Sequence, residues 1–325
     1  MVAEEQVMGQ AIREGKGRML GYAGIIILLL LPLGLPRFLV YTVSLIMLFG
    51  LLATSNNFAL GFGGIYQLHH CVFYGIGAYG AAVVLTKTGI SPWIGFVAGP
   101  VVAAILSLVM GLICVRLSKL YFGMLQIALG SLAWAVIYRW RSFTGGEDGI
   151  HGIPVPDLIS SSTGAYYFTF LVVAASMFVI YKILKAPFGI ALQGIRDNPV
   201  RSEMIGVNVR RHQLAALIIC GFFAGVAGVL FVVVDSSVFP GMMFWALSME
   251  VVIMCLLGGW LTFMGPMVGA ALIISIRTFV SSYTEYWSLI LGIILMAVIF
   301  FLPSGILGYV MGKFAGKLDK QPAKR

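Results

Sequence analysis

The chain has 325 residues, 60% of them hydrophobic and 10% charged, with a mean hydropathy of +1.00. That balance excludes a soluble globular fold and predicts a single polytopic membrane domain. The net charge of +9 comes from basic residues spread between apolar runs rather than gathered on one patch; they read as orientation signals, and nucleic-acid binding is excluded.

In chain order, Arg13, Lys16 and Arg18 precede the apolar run Met19–Leu35, which has the look of a secretory signal but no small-residue cleavage site behind it. It is read as the first span. Further spans are predicted at 38–54, 71–86, 93–114, 121–139, 165–183, 213–234, 246–261, 265–281 and 287–303, giving an all-α bundle of about ten transmembrane helices. With the N-terminus in the cytoplasm, sixteen Lys and Arg fall inside and five (Arg37, Lys87, Arg139, Arg141 and Arg277) fall on or toward the outside. This bias supports an even number of spans with both termini cytoplasmic. The expected organisation is a cytoplasmic segment 1–18, a membrane domain 19–311 and a basic cytoplasmic tail 312–325. Between spans lie an outer loop at 141–164 and a polar inner segment at 186–211.

Polar groups inside the apolar runs are the candidates for function. The stretch from Ser55 to Tyr79 joins clustered glycines to Asn56, Asn57, Gln67, His69 and His70. Broken backbone at membrane depth is tolerated only where protein or a water-filled cavity satisfies it, so this stretch is expected to line a pathway. A position at the cytoplasmic interface before span three is the alternative. Adjacent His69 and His70 point in different directions on a helix and do not make a metal pair. Glu250 sits within the apolar run Leu247–Leu257, where an ionised carboxylate costs on the order of 2–3 kcal/mol; pairing, capping of a broken helix and protonation all remain open for it. Asp235 and Arg277 lie near predicted outer span ends, where solvation explains them.

The outer loop carries Gly145, Gly146, Gly149 and Gly152 for tight turns, and Pro154 and Pro156 at its exit. His151 within it is expected to be solvent-exposed. Glycines at four-residue spacing, Gly95/Gly99, Gly221/Gly225 and Gly265/Gly269, are expected at close helix crossings. The octapeptides GPVVAAIL (99–106) and GPMVGAAL (265–272) match at five positions. An offset of five spans between them would make an inverted repeat of spans 2–5 and 7–10.

Phe188–Arg211 is the longest polar segment, and it reads as a docking element. Phe188, Leu192 and Ile195 share one face of a short helix. Asn198 and Pro199 end that helix and start another, and Gly206 offers a left-handed stop. A solvated loop is the plainer alternative. Neither a phosphate-cradling G-x-x-x-x-G-K-[ST] loop nor a Ser/His/Asp arrangement is present, and the four cysteines are widely spaced with no C-x-x-C pair. The chain is therefore not expected to be an enzyme, and no metal or cofactor is expected.

Five ordered segments resemble the LivM-type permease subunits of ATP-binding-cassette importers for branched-chain amino acids. They are Gly61–Tyr79, RLSKLYFGMLQIAL (116–129), TGGEDGIHGIP (144–154), FGIALQGIRDNPVRSEMIGVNV (188–209) and SMEVVIMCLLGGWLTFMGPMVGA (248–270). The first matches the family pattern at Gly61, Gly64, Leu68, His70, Phe73, Gly75, Ile76, Gly77, Ala78 and Tyr79. Gln67, His69, Cys71 and Leu261 depart from it, which leaves the solute open.

The resemblance implies a subunit in a bacterial inner membrane, in contact with membrane lipids. Its implied partners are a second, LivH-like permease, two cytoplasmic ATP-binding subunits and an extracytoplasmic solute-binding protein. Residues Leu192, Gly194, Ile195, Arg196, Asp197, Asn198, Glu203 and Gly206 would then couple to an ATPase, with Leu192, Ile195 and Met204 as anchors buried against it. Asn57, Gln67, His69, His70, Phe73, Tyr79 and Glu250 are the candidates for the translocation pathway. The expected cargo is a branched-chain or other hydrophobic amino acid. Urea or another amide is the alternative within the family, and an ion-coupled secondary transporter the alternative outside it.

Overall fold

The computed structural model describes residues 34–87, 91–117 and 119–281, together with 29, 31, 32, 283, 286, 289, 290, 292–294, 296 and 305–309. The segments 1–18 and 312–325 lie outside the described residues, and the predicted spans 19–35 and 287–303 lie largely outside them. Each of the eight other predicted spans coincides with a helix. These are α1 (Arg37–Asn57), α2 (Cys71–Lys87), α3 (Pro92–Cys114) and α4 (Lys119–Arg139), then, after the short α5 (Arg141–Thr144), α6 (Ser162–Lys185). Two small helices follow, α7 (Pro187–Asp197) and α8 (Pro199–Met204), before α9 (Val209–Asp235), α10 (Trp245–Gly258) and α11 (Gly265–Val280). Among the described residues, five helices are long and apolar enough to cross a membrane, and α2, α10 and α11 are shorter apolar helices.

Helices dominate because a backbone surrounded by lipid must satisfy its own hydrogen bonds. Proline marks where they start. Pro92, Pro187, Pro199 and Pro266 each stand in a first turn, where a missing N–H leaves nothing unpaired.

α1 and α9 are central: 67% and 72% of their apolar windows are buried, against 33%, 28% and 33% for α3, α4 and α6. α9 packs against α1, α2 and α3, while α1 packs against α10 and α11. One close crossing is built on glycines. A Cβ on Gly77 of α2 would meet the Gly225 backbone of α9 at 2.4 Å, and one on Gly99 of α3 would meet the Gly77 carbonyl at 2.4 Å. Here the expected glycine contacts hold, and backbone meets backbone.

α6 fixes the two ends of the bundle. Its 24 residues span about 36 Å at 1.5 Å per residue. The 141–164 loop lies at one end of it, and α7 and α8 lie at the other. The loop is clamped to the bundle: Ile150–His151 pairs antiparallel with Ser237–Val238 just beyond α9, and Lys87 Nζ donates to the carbonyls of Ser142 and Phe143 at 2.9 and 2.8 Å. His151 is exposed, as expected, and its Nε2 lies 2.7 Å from the Asp148 carbonyl.

Candidate translocation and coupling site

α1 does not end cleanly. At Phe58–Phe62 it widens into a π-type turn, and Ile65 N–H then reaches back to the Ala59 carbonyl at 2.9 Å. Gly64, with φ of 63°, turns the chain, which re-enters the bundle and starts α2 at Cys71. The backbone groups freed by this break are satisfied from distant helices. Leu68 N–H donates to Gln126 Oε1 of α4 at 2.9 Å, and Cys71 N–H donates to Ser248 Oγ of α10 at 3.0 Å. Ser248 therefore caps α2 from 177 positions away. Sequence reasoning missed both caps, because a cap from another helix has no local spacing; the only sign was a polar residue inside an apolar run.

The polar residues of the break are buried in protein: Asn57, Gln67, His69 and His70 are each at 0% exposure. His70 Nε2 lies 2.8 Å from Ser55 Oγ. The Ser55 hydroxyl already donates to the Leu52 carbonyl, so the ring N–H is the donor in that pair. His69 sits between two carbonyls, Met243 at 2.9 Å from Nε2 and Ile127 at 3.2 Å from Nδ1; a neutral ring donates to one of them at a time, and the shorter contact ties the break to the segment before α10 while the ring packs against α4. Its ring occupies the space beside Gly130, where a Cβ would lie 2.2 Å from Nδ1. Both Asn56 amide atoms, Asn57 Oδ1, both Gln67 amide atoms, His70 Nδ1, Tyr79 Oη and Glu250 Oε1 are buried with no hydrogen-bond partner among the described residues. Each such group costs about 1–3 kcal/mol, a concentration that packing alone does not ask for. Phe73 is fully buried beside His70, with ring centroids 6.1 Å apart.

At the far end of α1, α7 seats directly on the break. Phe188 stacks between Phe58 and His212, with centroids 6.5 and 5.6 Å apart. Arg196 Nη1 donates to the Gly61 carbonyl at 3.0 Å, and its Nε donates to Asp197 Oδ1 at 2.9 Å. A Cβ on Gly64 would meet Arg196 Cγ at 2.8 Å. Leu192 is buried in this same seat, where a Cβ on Gly63 would meet its Cδ1 at 3.3 Å, and Ile195 is buried as well. That corrects the expectation that they anchor a partner: the apolar face of α7 is turned onto its own chain, because the gap left by the break lies directly beneath it. The apolar side chains that point outward are Ile190, Val200, Met204 and Ile205, with Met204 82% exposed. Helix ends follow the sequence reading. Asn198 Oδ1 accepts from Arg201 N–H at 3.0 Å, and Gly206 turns at φ of 90°. Gly194, Asp197, Asn198, Glu203 and Gly206 are exposed.

At the opposite end, Glu250 pairs with Arg277 of α11 at 3.8 Å, so pairing is the alternative realised. Asp235 accepts from the Tyr41 hydroxyl at 2.8 Å and from the Ser237 hydroxyl. Asp235, Arg277 and Tyr41 line one cavity of about 400 Å³, with Leu45, Phe49, Tyr74 and Phe231 among its apolar walls. Solvation alone therefore does not explain Asp235 and Arg277. They come from different helices and meet across a shared space.

Residues 38–299 match the family model for the permease component of branched-chain amino acid transport systems. The LivM permease protein of the high-affinity branched-chain amino acid transport system of Escherichia coli is 27% identical over 303 residues, which is 85% of this chain and 71% of that protein. A nucleoside ABC transporter permease protein of Lactococcus lactis is 25% identical over 174 residues, 48% of this chain and 55% of its own length. A probable branched-chain amino acid transport permease protein LivH of Methanocaldococcus jannaschii is 26% identical over 170 residues, 47% of this chain and 52% of its own. No solved structure matches. With the matched region running from the start of α1 to beyond α11, the chain belongs to the family of branched-chain amino acid transport system permease components.

Proposed function

We propose that this chain is one membrane subunit of an ATP-driven importer, carrying branched-chain or other hydrophobic amino acids inward by alternating access. Its partners are a second, LivH-like permease, two cytoplasmic ATP-binding subunits and an extracytoplasmic solute-binding protein. The membrane domain 19–311 lies in a bacterial inner membrane with both termini cytoplasmic; α7 and α8 face the cytoplasm and the 141–164 loop faces outward. The positive-inside bias supports this orientation.

The observation that carries the reading is the two-sided build of the α7–α8 segment. One side is locked to the break in α1 through Phe188, Leu192 and Arg196, and the other presents Ile190, Val200, Met204 and Ile205 outward. Exposed apolar residues ringed by Arg201, Glu203 and Asp197 suit a partner interface with an apolar centre and a polar rim. A displacement of an ATPase pressed on that face passes as a rigid-body shift into the break. There Asn57, Gln67, His70 and Phe73 line the path with His69 bracing it, and Tyr79 and, toward the opposite end, Glu250 continue it. The pairing of helices also fits an inverted repeat. Exchanging α1, α2 and α3 with α9, α10 and α11 carries the contacts of α9 with α3, of α2 with α3 and of α9 with α2 onto contacts that are present. The octapeptides fit the repeat only in part, since Pro100 lies within α3 whereas Pro266 opens α11. Within the family a nucleoside is the second candidate cargo, favoured by the match to the nucleoside permease.

Gly194→Asp tests the coupling. A Cβ at Gly194 would meet only Ser202 Oγ, at 3.6 Å, so the variant is expected to fold. In the assembled importer, uptake is expected to fall about ten-fold, the equivalent of about 1.4 kcal/mol of coupling. Uptake that persists undiminished in this variant, or that continues in vesicles without the ATP-binding subunits, argues against the reading.

A further inference from the structure

We infer that the cavity at the loop end of the bundle is a binding site for a zwitterion with an apolar side chain, with Arg277 holding its carboxylate and Asp235 its ammonium group. The inference rests on the reading of the chain as a solute permease and adds to it a place and a ligand chemistry. The cavity is lined by α1, α2, α9, α10, α11 and the segment between α9 and α10, and its volume of about 400 Å³ falls in the range of small-molecule sites. Its walls are chiefly apolar and aromatic, with one carboxylate and one guanidinium among the lining groups.

Asp235 is not placed there to stabilise its helix. It is the last residue of α9, where the negative end of the helix dipole opposes a carboxylate. The next residue, Ser236, adopts φ of 54°, the one left-handed non-glycine conformation among the described residues. This turn is held by Ser236 N–H on the Val232 carbonyl at 2.8 Å and by Ile153 N–H on the Ser236 carbonyl at 3.0 Å. Strain kept by surrounding structure, next to a charge on a cavity wall, is a feature of functional sites. The Tyr41 and Ser237 hydroxyls each donate to a different oxygen of Asp235. They fix the carboxylate, yet each oxygen has two lone pairs, so acceptor capacity remains for an ammonium group.

Arg277, on α11, lines the same cavity. It also pairs with Glu250 at 3.8 Å, and a guanidinium carries five N–H donors. A planar guanidinium suits a carboxylate, which it grips bidentately. Leu45, Phe49 and Phe231 offer the apolar surface for the rest of the ligand. A sugar or an uncharged nucleoside would meet mostly hydrocarbon and would match neither charge.

The test uses the complete importer in cells carrying Leu45→Cys or, as a second attachment point, Thr278→Cys. Both positions line the cavity, and the native cysteines at 71, 114, 220 and 255 are buried. A membrane-impermeant maleimide added outside is expected to label the new thiol. L-leucine is expected to slow labelling about ten-fold, whereas 4-methylpentanoate and 3-methylbutylamine, each lacking one charge, leave it unchanged. Adding Arg277→Gln removes the protection by leucine. Absence of labelling at both positions, labelling indifferent to leucine, or equal protection by glucose or adenosine overturns the site. Uptake of radiolabelled leucine with and without the ATP-binding subunits, measured in the same cells, tests the permease reading separately. Protection by leucine with no ATP-driven uptake would keep the site and remove that reading.

Discussion

Replacing Arg196 by leucine is expected to reduce solute uptake by about ten-fold or more while ATP hydrolysis by the assembled importer continues. Arg196 is the polar tie between the α7–α8 segment and the break in α1: its Nη1 donates to the Gly61 carbonyl at 3.0 Å, in a half-buried setting. A hydrogen bond from a charged donor contributes roughly 1.5–3 kcal/mol, which corresponds to about ten-fold or somewhat more in an equilibrium. Its ion pair with Asp197 at 2.9 Å matters much less, because the Asp197 side chain is 67% exposed and surface pairs contribute little. Asp197→Asn should therefore be nearly silent in the same uptake assay. Leucine at position 196 keeps most of the aliphatic packing against Gly64, so a loss of uptake with hydrolysis retained reports the tie itself. Matching losses for both variants would show that charge at the rim, and not the link to Gly61, governs coupling.

The second large effect is on stability, at His69. Removing its side chain with His69→Gly deletes the brace between the Met243 and Ile127 carbonyls and opens a cavity in a fully buried position. The expected loss is about 3 kcal/mol, from the missing hydrogen bonding and the void together. Gly130 supplies the control. In the parent chain a Cβ at position 130 would lie 2.2 Å from His69 Nδ1, so Gly130→Ala displaces the ring and destabilises. With glycine at 69 the same alanine has room, and it gains the better helix propensity of Ala over Gly, about 1 kcal/mol. Gly130→Ala is thus expected to change sign between the two backgrounds, as read from thermal unfolding of the purified protein in detergent. An equal effect in both backgrounds would show that the two positions are uncoupled. The departure of residue 69 from the family pattern then bears on rigidity at the break, and exchanging it is expected to alter stability before solute preference.

Hydropathy made the helical frame legible, because a lipid-facing backbone leaves helix as its only local solution over 38–54, 93–114 and 213–234. Gly99 and Gly225 at the glycine crossing were legible for a related reason, since four-residue spacing puts small residues on one face. The ends of α7 and α8 were readable from Asn198, Pro199 and Gly206. Which body the apolar face of α7 meets was not readable. Periodicity says that Leu192 and Ile195 share a face, but the gap that Leu192 fills is made by a break more than 120 positions earlier. The convergence of Tyr41, Asp235 and Arg277 was hidden in the same way. Each looks like an ordinary charged or polar group at a span end, and only the packing of α1, α9 and α11 turns three ends into one wall.

The α7–α8 segment is the centre of the account, and Met204→Cys probes it most directly. Met204 is 82% exposed on the outward side of the segment and the native cysteines are buried, so a thiol there is the accessible one among the described residues. In the assembled importer, a short photoactivatable cross-linker on that thiol is expected to capture an ATP-binding subunit, with a yield that changes when ATP is added. A thiol at 204 that reacts freely with water-soluble maleimide, and yields no adduct with an ATP-binding subunit under any nucleotide condition, would contradict the account.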